Sequence, residues 1–262
     1  MRVVLLGTGA SAGVPMIGGA DGRGDWGACD RSEARNRRTR SSIVVQGGQG
    51  ALLVDTGPDL REQLLSCGIN QVDAILYTHS HADHITGLDD VRILNRLMNR
   101  PLDAFGTDVT LSDIERRFSY AFRPWSPPGF YRPVVVARRA GPGEVIDTAG
   151  LSVALFDQDH GFTRTLGLRI GSFGYSTDVV GLDDTAFASL EGIDTWVVGC
   201  FQRPHHSTHA PLSRVLQWVE RLRPRRTVLT HMGVDMDWTW LRDNLPPGVE
   251  PGYDGQVLDI PS

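Results

Sequence analysis

Apolar residues recur along the chain in short bursts. Residues 3–6, 42–45, 51–54, 74–77, 151–156, 166–170, 173–176, 195–198 and 227–229 each form an apolar or alternating run of strand length, bounded by Gly, Pro, Asp or His. This pattern predicts strands that lie in buried sheets. Between some of them, residues 60–65, 85–98, 111–118 and 212–222 carry apolar positions at three- and four-residue spacing, which predicts helices. Strands outnumber helices and fall into two blocks, roughly residues 1–100 and 130–262. The segment 122–133 holds four prolines together with Phe122, Trp125, Phe130 and Tyr131. So aromatic a stretch suits a lid or an interface loop better than a linker.

Composition narrows the picture. A chain of 262 residues with 40% hydrophobic and 22% charged residues can bury a sizeable core, and one domain over residues 1–262 is the expectation. A net charge of -5 argues against a protein that grips a long polyanion and leaves room for a small anionic substrate. Cys29, Cys67 and Cys200 are too few and too scattered for a disulfide framework. The first apolar run is too short for a signal sequence or a membrane span. A cytoplasmic protein with no membrane partner is expected, and a homodimer is left open.

Chemistry concentrates in Thr78-His79-Ser80-His81-Ala82-Asp83-His84, which follows a predicted strand and precedes a helical pattern. Imidazole and carboxylate are ligands that borderline divalent metals select, and four such groups within six residues exceed what a solvated loop needs. One run of this kind cannot fill two metal sites. His160, Asp178 and His231 occupy a common kind of position, the first polar residues after apolar strands, and so point to one shared edge of a layered β structure.

The chain resembles the metallo-β-lactamase superfamily and, within it, the PhnP-type phosphodiesterases. The heptapeptide carries the superfamily likeness. The stretch Asp55-Thr56-Gly57-Pro58-Asp59 shares in the likeness, and the opening Leu6-Gly7-Thr8-Gly9-Ala10-Ser11-Ala12-Gly13-Val14-Pro15, the arginine run Arg35-Asn36-Arg37-Arg38-Thr39-Arg40 and the closing Asp254-Gly255 narrow it to the subgroup. The resemblance implies an α/β (α+β) protein, an αββα sandwich of two mixed sheets flanked by helices. It implies two divalent ions, zinc or manganese and also iron, that can share a hydroxide. His79, His81 and His160 would hold one ion, Asp83, His84 and His231 the other, and Asp178 would bridge them. Asp83 would also belong to the catalytic apparatus. Asp55 would orient a ligand imidazole, although an Asp before Thr56-Gly57 also suits a plain turn.

His209 precedes His231 by the distance that, in PhnP-type enzymes, separates a histidine proposed to contact the phosphate and protonate the leaving group from the last ligand. His206 is a further candidate for substrate contact, while His205 is structural or solvent-facing. Such relatives often carry a structural zinc on clustered cysteines and a later histidine. Here only Cys29 is present and Val234 stands where that histidine would be, so no third metal is expected. Packing around Trp26 is expected to hold the glycine-rich loop instead. Arg37, Arg38 and Arg40 could match a phosphate, yet arginines before a strand are commonly solvated. The function implied is hydrolysis of a small cyclic or nucleotide-like phosphodiester. A nuclease related to the tRNA 3′-processing enzymes and a metal-containing carrier protein are the alternatives. The acidic balance disfavours nucleic acid as a partner.

Overall fold

The computed structural model describes residues 1–126 and 132–261. Among these, the strands of the first sheet are β1 (Arg2–Gly7), β2 (Ser42–Gln46), β3 (Ala51–Val54), β4 (Ala74–Leu76), β5 (Leu102–Gly106), β6 (Val135–Arg139) and β14 (Val257–Asp259). The second sheet holds β7 (Val145–Thr148), β8 (Leu151–Asp159), β9 (Arg164–Ile170), β10 (Phe173–Ser176), β11 (Thr195–Gly199), β12 (Arg226–Thr230) and β13 (Val249–Pro251). Their orders are β14-β1-β2-β3-β4-β5-β6 and β13-β12-β11-β10-β9-β8-β7. Both sheets follow one scheme. In the first sheet pairing is antiparallel from β14 to β3 and parallel from β3 to β6; in the second it is antiparallel from β7 to β10 and parallel from β10 to β13.

Strand alternation separates three hydrophobic layers. Val3, Leu5, Ile43, Val54 and Leu76 point inward and meet Leu155, Leu168, Phe173, Tyr175 and Val197 of the other sheet. Val4, Leu6, Val44, Leu53 and Ile75 point the other way, against Leu60 and Leu64 of α1 (Leu60–Ser66), Val91 and Leu94 of α3 (Val91–Met98), and Leu111 and Ile114 of α4 (Asp108–Arg117). On the far side, Trp196 and Val198 pack against Phe187 of α5 (Asp184–Leu190), Val215 and Trp218 of α6 (Leu212–Leu222) and Leu241 of α7 (Trp238–Asn244). Strands buried on both faces read as continuous apolar runs, and that is how these runs stand out in the sequence. The architecture is the αββα sandwich. No helix among the described residues is long and apolar enough to cross a membrane.

All nine expected strands are present, while β5, β6, β7, β13 and β14 escape the sequence pattern. β13 and β14 are three residues long and stand at sheet edges, so neither shows a period. β6 is an edge strand carrying the exposed Arg138 and Arg139, a composition that blunts an edge and hides a strand.

The predicted helix over residues 85–98 is broken into α2 (Ala82–Ile85), a 3-10 turn at Leu88–Asp90 and α3. The cause is a backbone clasp: Thr56 N–H donates to the His84 carbonyl (2.8 Å) and Gly87 N–H donates to the Thr56 carbonyl (2.9 Å). Gly87 approaches so closely that a Cβ there would lie 2.0 Å from the Gly57 carbonyl oxygen. These bonds divert the groups that a continuous helix would use.

Two further expectations are corrected. Arg38 is not solvated: it is 2% exposed and donates to the carbonyls of Met236 (2.7 Å) and Gly233 (3.4 Å) and to the Asn36 amide oxygen (3.3 Å). Arg40 is half-buried and pairs with Asp59 at 3.1 Å. Nor does Trp26 hold the glycine-rich loop by packing, since it is only half-buried beneath the Arg37 guanidinium, 5.0 Å above its ring. Hydrogen bonds hold the loop: Ala28 N–H (2.8 Å) and the Cys29 thiol (3.3 Å) donate to the Val234 carbonyl, and Asp30 N–H donates to Asp237 (3.0 Å). Of the expected lid or interface loop over residues 122–133, residues 127–131 lie outside the described residues; Phe122 packs on the core beneath the first sheet.

Arg38→Met leaves the Met236 carbonyl buried without its donor, whereas the Gly233 carbonyl keeps the Met236 N–H, and this costs about 1–3 kcal/mol. Calorimetry should show Tm falling by several degrees for a chain of this size. An unchanged Tm would mean that water reaches the Met236 carbonyl.

Candidate metal centre

The C-terminal ends of five strands converge at one edge of the sandwich. Asp55 follows β3, residues 78–84 follow β4, His160 follows β8, Asp178 follows β10 and His231 follows β12. Three of these residues leave their strands in the left-handed region: Asp55 (φ 65), Asp178 (φ 50) and His231 (φ 54). Non-glycine residues seldom adopt this conformation, and it costs of order 1–3 kcal/mol each. The turn it produces aims each side chain back across the edge.

All seven residues expected to hold metal are brought together. His79, His81 and His160 form one group, and Asp83, His84, Asp178 and His231 form another, the potential ligand atoms of each lying within 4.8 Å of one another. Asp178 stands between them. One of its oxygens is 3.1 Å from His84 Nε2 and 3.3 Å from His231 Nδ1, and the other is 3.8 Å from His160 Nε2 and 4.0 Å from His209 Nδ1. His79 Nε2, His84 Nε2 and both ring nitrogens of His231 are buried without a hydrogen-bond partner. Buried polar atoms are normally satisfied. Lone pairs of imidazole converging with carboxylates are what a divalent cation requires, so the residues present fit one.

Electrostatics agree with that fit. Burial, aided by the neighbouring His84, holds the His79 imidazole well below its usual pKa, and burial lowers His81 and His231 as well. Neutral rings offer the lone pair a metal needs. His84 behaves otherwise. Burial opposes its charged form, but Asp178, Asp55 and Asp83 together raise its pKa well above the usual value. Asp178 is itself held well below the carboxylate range: burial raises it, but His231, His84 and His79 outweigh that. Asp55 is pushed up by its complete burial against the pull of His84. Between the two, the proton resides on His84 Nδ1, because three carboxylates face that ring and only one imidazole faces Asp55.

The supports are local. Asp55 accepts from His84 Nδ1 at 2.7 Å and from the Thr78 N–H and hydroxyl, both at 2.8 Å. The turn reading of Asp55 and the orienting one therefore coincide. His79 Nδ1 lies 3.0 Å from the Thr78 hydroxyl, and His160 Nδ1 lies 2.8 Å from the Thr208 carbonyl. Sequence inspection missed Thr78 and Thr208 in these roles. Thr78 was visible as the residue between strand and ligands, whereas a backbone carbonyl leaves no trace in residue identity.

Around the centre lies a cavity of about 350 Å³ that includes Ser11, Phe162 and Thr163 besides the ligand candidates. A larger hollow of about 520 Å³ at residues 46–51 and 68–73 contains no histidine or cysteine. His209 lines the cavity, stacked 4.9 Å from the His231 ring, and burial together with His231 pushes its pKa down to about 3. His206 stands one layer further out, 5.2 Å from the His209 ring and 4.9 Å from Phe201, and its Nδ1 accepts from the Thr208 N–H at 3.3 Å. His205 is exposed.

A family model described as a beta-lactamase superfamily domain matches residues 51–232, which contain every one of these ligand candidates. The chain belongs to the metallo-β-lactamase superfamily. A solved structure described as a new diphosphatase from the PhnP family is 33% identical, with a TM-score of 0.89 over 99% of this chain and 98% of that one. A ribonuclease Z of Mycobacterium bovis is 31% identical over 84% of each chain. An octanoyltransferase of Porphyromonas gingivalis is 30% identical over 97% of this chain, which spans about half of that protein (51%). Its fold is the metallo-β-lactamase fold, whose members bind divalent metals.

Asp55→Ala should release His84 from its fixed orientation and weaken metal retention about 10–100-fold. Competition against a chelating dye reads this directly. Wild-type retention would show that the protein holds His84 without Asp55.

Proposed function

We propose that this chain is a phosphodiesterase for small substrates, with His79, His81 and His160 holding one divalent ion, Asp83, His84 and His231 a second, and Asp178 shared between them. The observation that carries this reading is the position of Asp178, one oxygen turned to each cluster, at the base of a cavity with His209 on its wall. When bound, the two ions supply Lewis acidity and concentrated positive charge. The family likeness and the similarity to a PhnP-family diphosphatase support the reading.

The protein's own groups divide the work. Asp178 offsets the charge of two cations brought close together. Asp83 is half-buried at the mouth and held far below the carboxylate range, because His84 outweighs the effect of burial. It is therefore ionised at working pH and orients water by accepting hydrogen bonds, without storing a proton. His209 is uncharged in the free protein, since its pKa lies near 3. A phosphodiester brings negative charge beside the ring, which favours a second proton there, and the ring can then pass that proton to the departing oxygen. His206 lies beside His209, the ring centroids 5.2 Å apart.

A second reading, cleavage of a diphosphate bond, is favoured by the activity named for the PhnP-family neighbour. A net charge of -5 suits either small substrate better than a long RNA. The deciding experiment screens manganese- and zinc-loaded protein against cyclic phosphates, linear phosphodiesters, dinucleoside diphosphates, phosphomonoesters, thioesters and lactams. Turnover of a thioester or lactam alone would overturn both readings, and turnover of diphosphates alone would select the second.

Elemental analysis should find about two divalent ions per chain, because the ligand set fills two sites and Cys29 is engaged with Val234. A stable third equivalent, lost in Cys29→Ser, would reveal a third site that includes this thiol.

His209→Ala should slow alkyl or ribose phosphodiesters by about 10²–10⁴-fold. Bis(4-nitrophenyl) phosphate, whose phenolate leaves unaided, should lose far less on the same metal-loaded preparation. Equal losses would make His209 a phosphate or metal contact, and no loss on either would remove it from the site.

A further inference from the structure

Among the described residues, the walls of the metal-centre cavity are imidazoles, carboxylates and hydroxyls with one exception, Phe162. Its side chain is 95% exposed, although a large aromatic ring gains most from burial. The turn between β8 and β9 keeps it there. His160 N–H donates to the Thr163 carbonyl at 3.1 Å and Gly161 N–H donates to the Asp159 carboxylate at 2.9 Å, which closes the turn around Phe162. Gly161 has φ 76 and lies so near Thr208 that a Cβ would stand 2.8 Å from its methyl group. With His160 Nδ1 also fixed to the Thr208 carbonyl, the backbone of Phe162 is held at a set position two residues from a ligand candidate. A looser loop would fold the ring onto the protein, and this one holds it in water at the lip of the cavity.

A lone ring offers flat faces and no sleeve. An acyl chain needs apolar walls around it, and no other apolar side chain among the described residues lines this cavity. A planar group needs only one face. A nucleoside phosphate has the matching form: an anionic group for the ligand cluster, a sugar as spacer and a base that can lie against an aromatic face. We propose that Phe162 is a stacking platform for the base of a nucleotide-like substrate. This rests on the phosphate-ester reading given above and names the part of the substrate outside the metal centre.

The test uses manganese-loaded protein titrated calorimetrically with AMP and with ribose 5-phosphate, which differ only in the base. Wild type should bind AMP about ten-fold more tightly. The ratio should fall toward one in Phe162→Ala and also in Phe162→Leu, which keeps an apolar side chain but lacks a ring face, and it should be kept in Phe162→Trp. No preference for AMP in wild type, a preference that survives Phe162→Ala, or full retention in Phe162→Leu would each overturn the stacking role. Turnover of phosphodiesters is read separately. Hydrolysis without an AMP preference removes this inference and leaves the proposed function standing, whereas an AMP preference without hydrolysis does the reverse.

Discussion

A carboxylate buried at 2% exposure needs compensation, and Asp178 dictates much of this molecule. An ion taken out of water costs several kcal/mol unless opposite charge or donors surround it. His84 and His231 stand within 3.3 Å of one oxygen, and His160 and His209 within 4.0 Å of the other. Of these imidazoles, burial lowers His231 and His209, whereas the surrounding carboxylates hold His84 well above its usual pKa. The His84 ring faces three carboxylates, Asp178, Asp55 and Asp83, so negative charge remains for a divalent cation to offset. That excess is the strongest physical argument that metal belongs there.

Holding such a cluster open requires a stiff frame, because its members repel or fail to bond one another in the absence of metal. The two sheets supply it. Five strands deliver their C-terminal residues to one edge, and the left-handed conformations at Asp55, Asp178 and His231 are sustained by the packed layers beneath. The Thr56–His84–Gly87 clasp adds a second restraint, fixing the heptapeptide against the end of β3. Strain of this kind persists only where the surroundings over-determine the backbone.

Away from the ligand cluster, the half-buried Asp254 and the buried Arg38 join segments that are far apart in the chain. Asp254 accepts from the N–H and hydroxyl of Thr8 (2.9 and 2.8 Å) and of Thr39 (2.7 and 2.6 Å), which ties the opening loop, the arginine run and the closing segment at one point. Arg38 then fastens the arginine run to the loop after His231. The three stretches that resemble the PhnP-type proteins are thus one structural unit, and the resemblance reflects the support of the site's floor.

The sequence alone determined the sandwich and the membership of its centre. Strands buried on both faces must be apolar throughout, and a cluster able to hold a divalent ion needs donor side chains such as His and Asp, so both leave marks in residue identity. The heptapeptide, His160, Asp178 and His231 were legible for that reason. What the sequence left undecided was set by contacts between distant residues. The break after Ile85, the burial of Arg38, the carbonyl of Thr208 behind His160 and the outward ring of Phe162 depend on backbone groups and on neighbours up to 198 positions away, as in the bond from Arg38 to Met236. An arginine before a strand reads the same whether it is solvated or buried. Only the folded chain, by bringing acceptors to its guanidinium, decides between them.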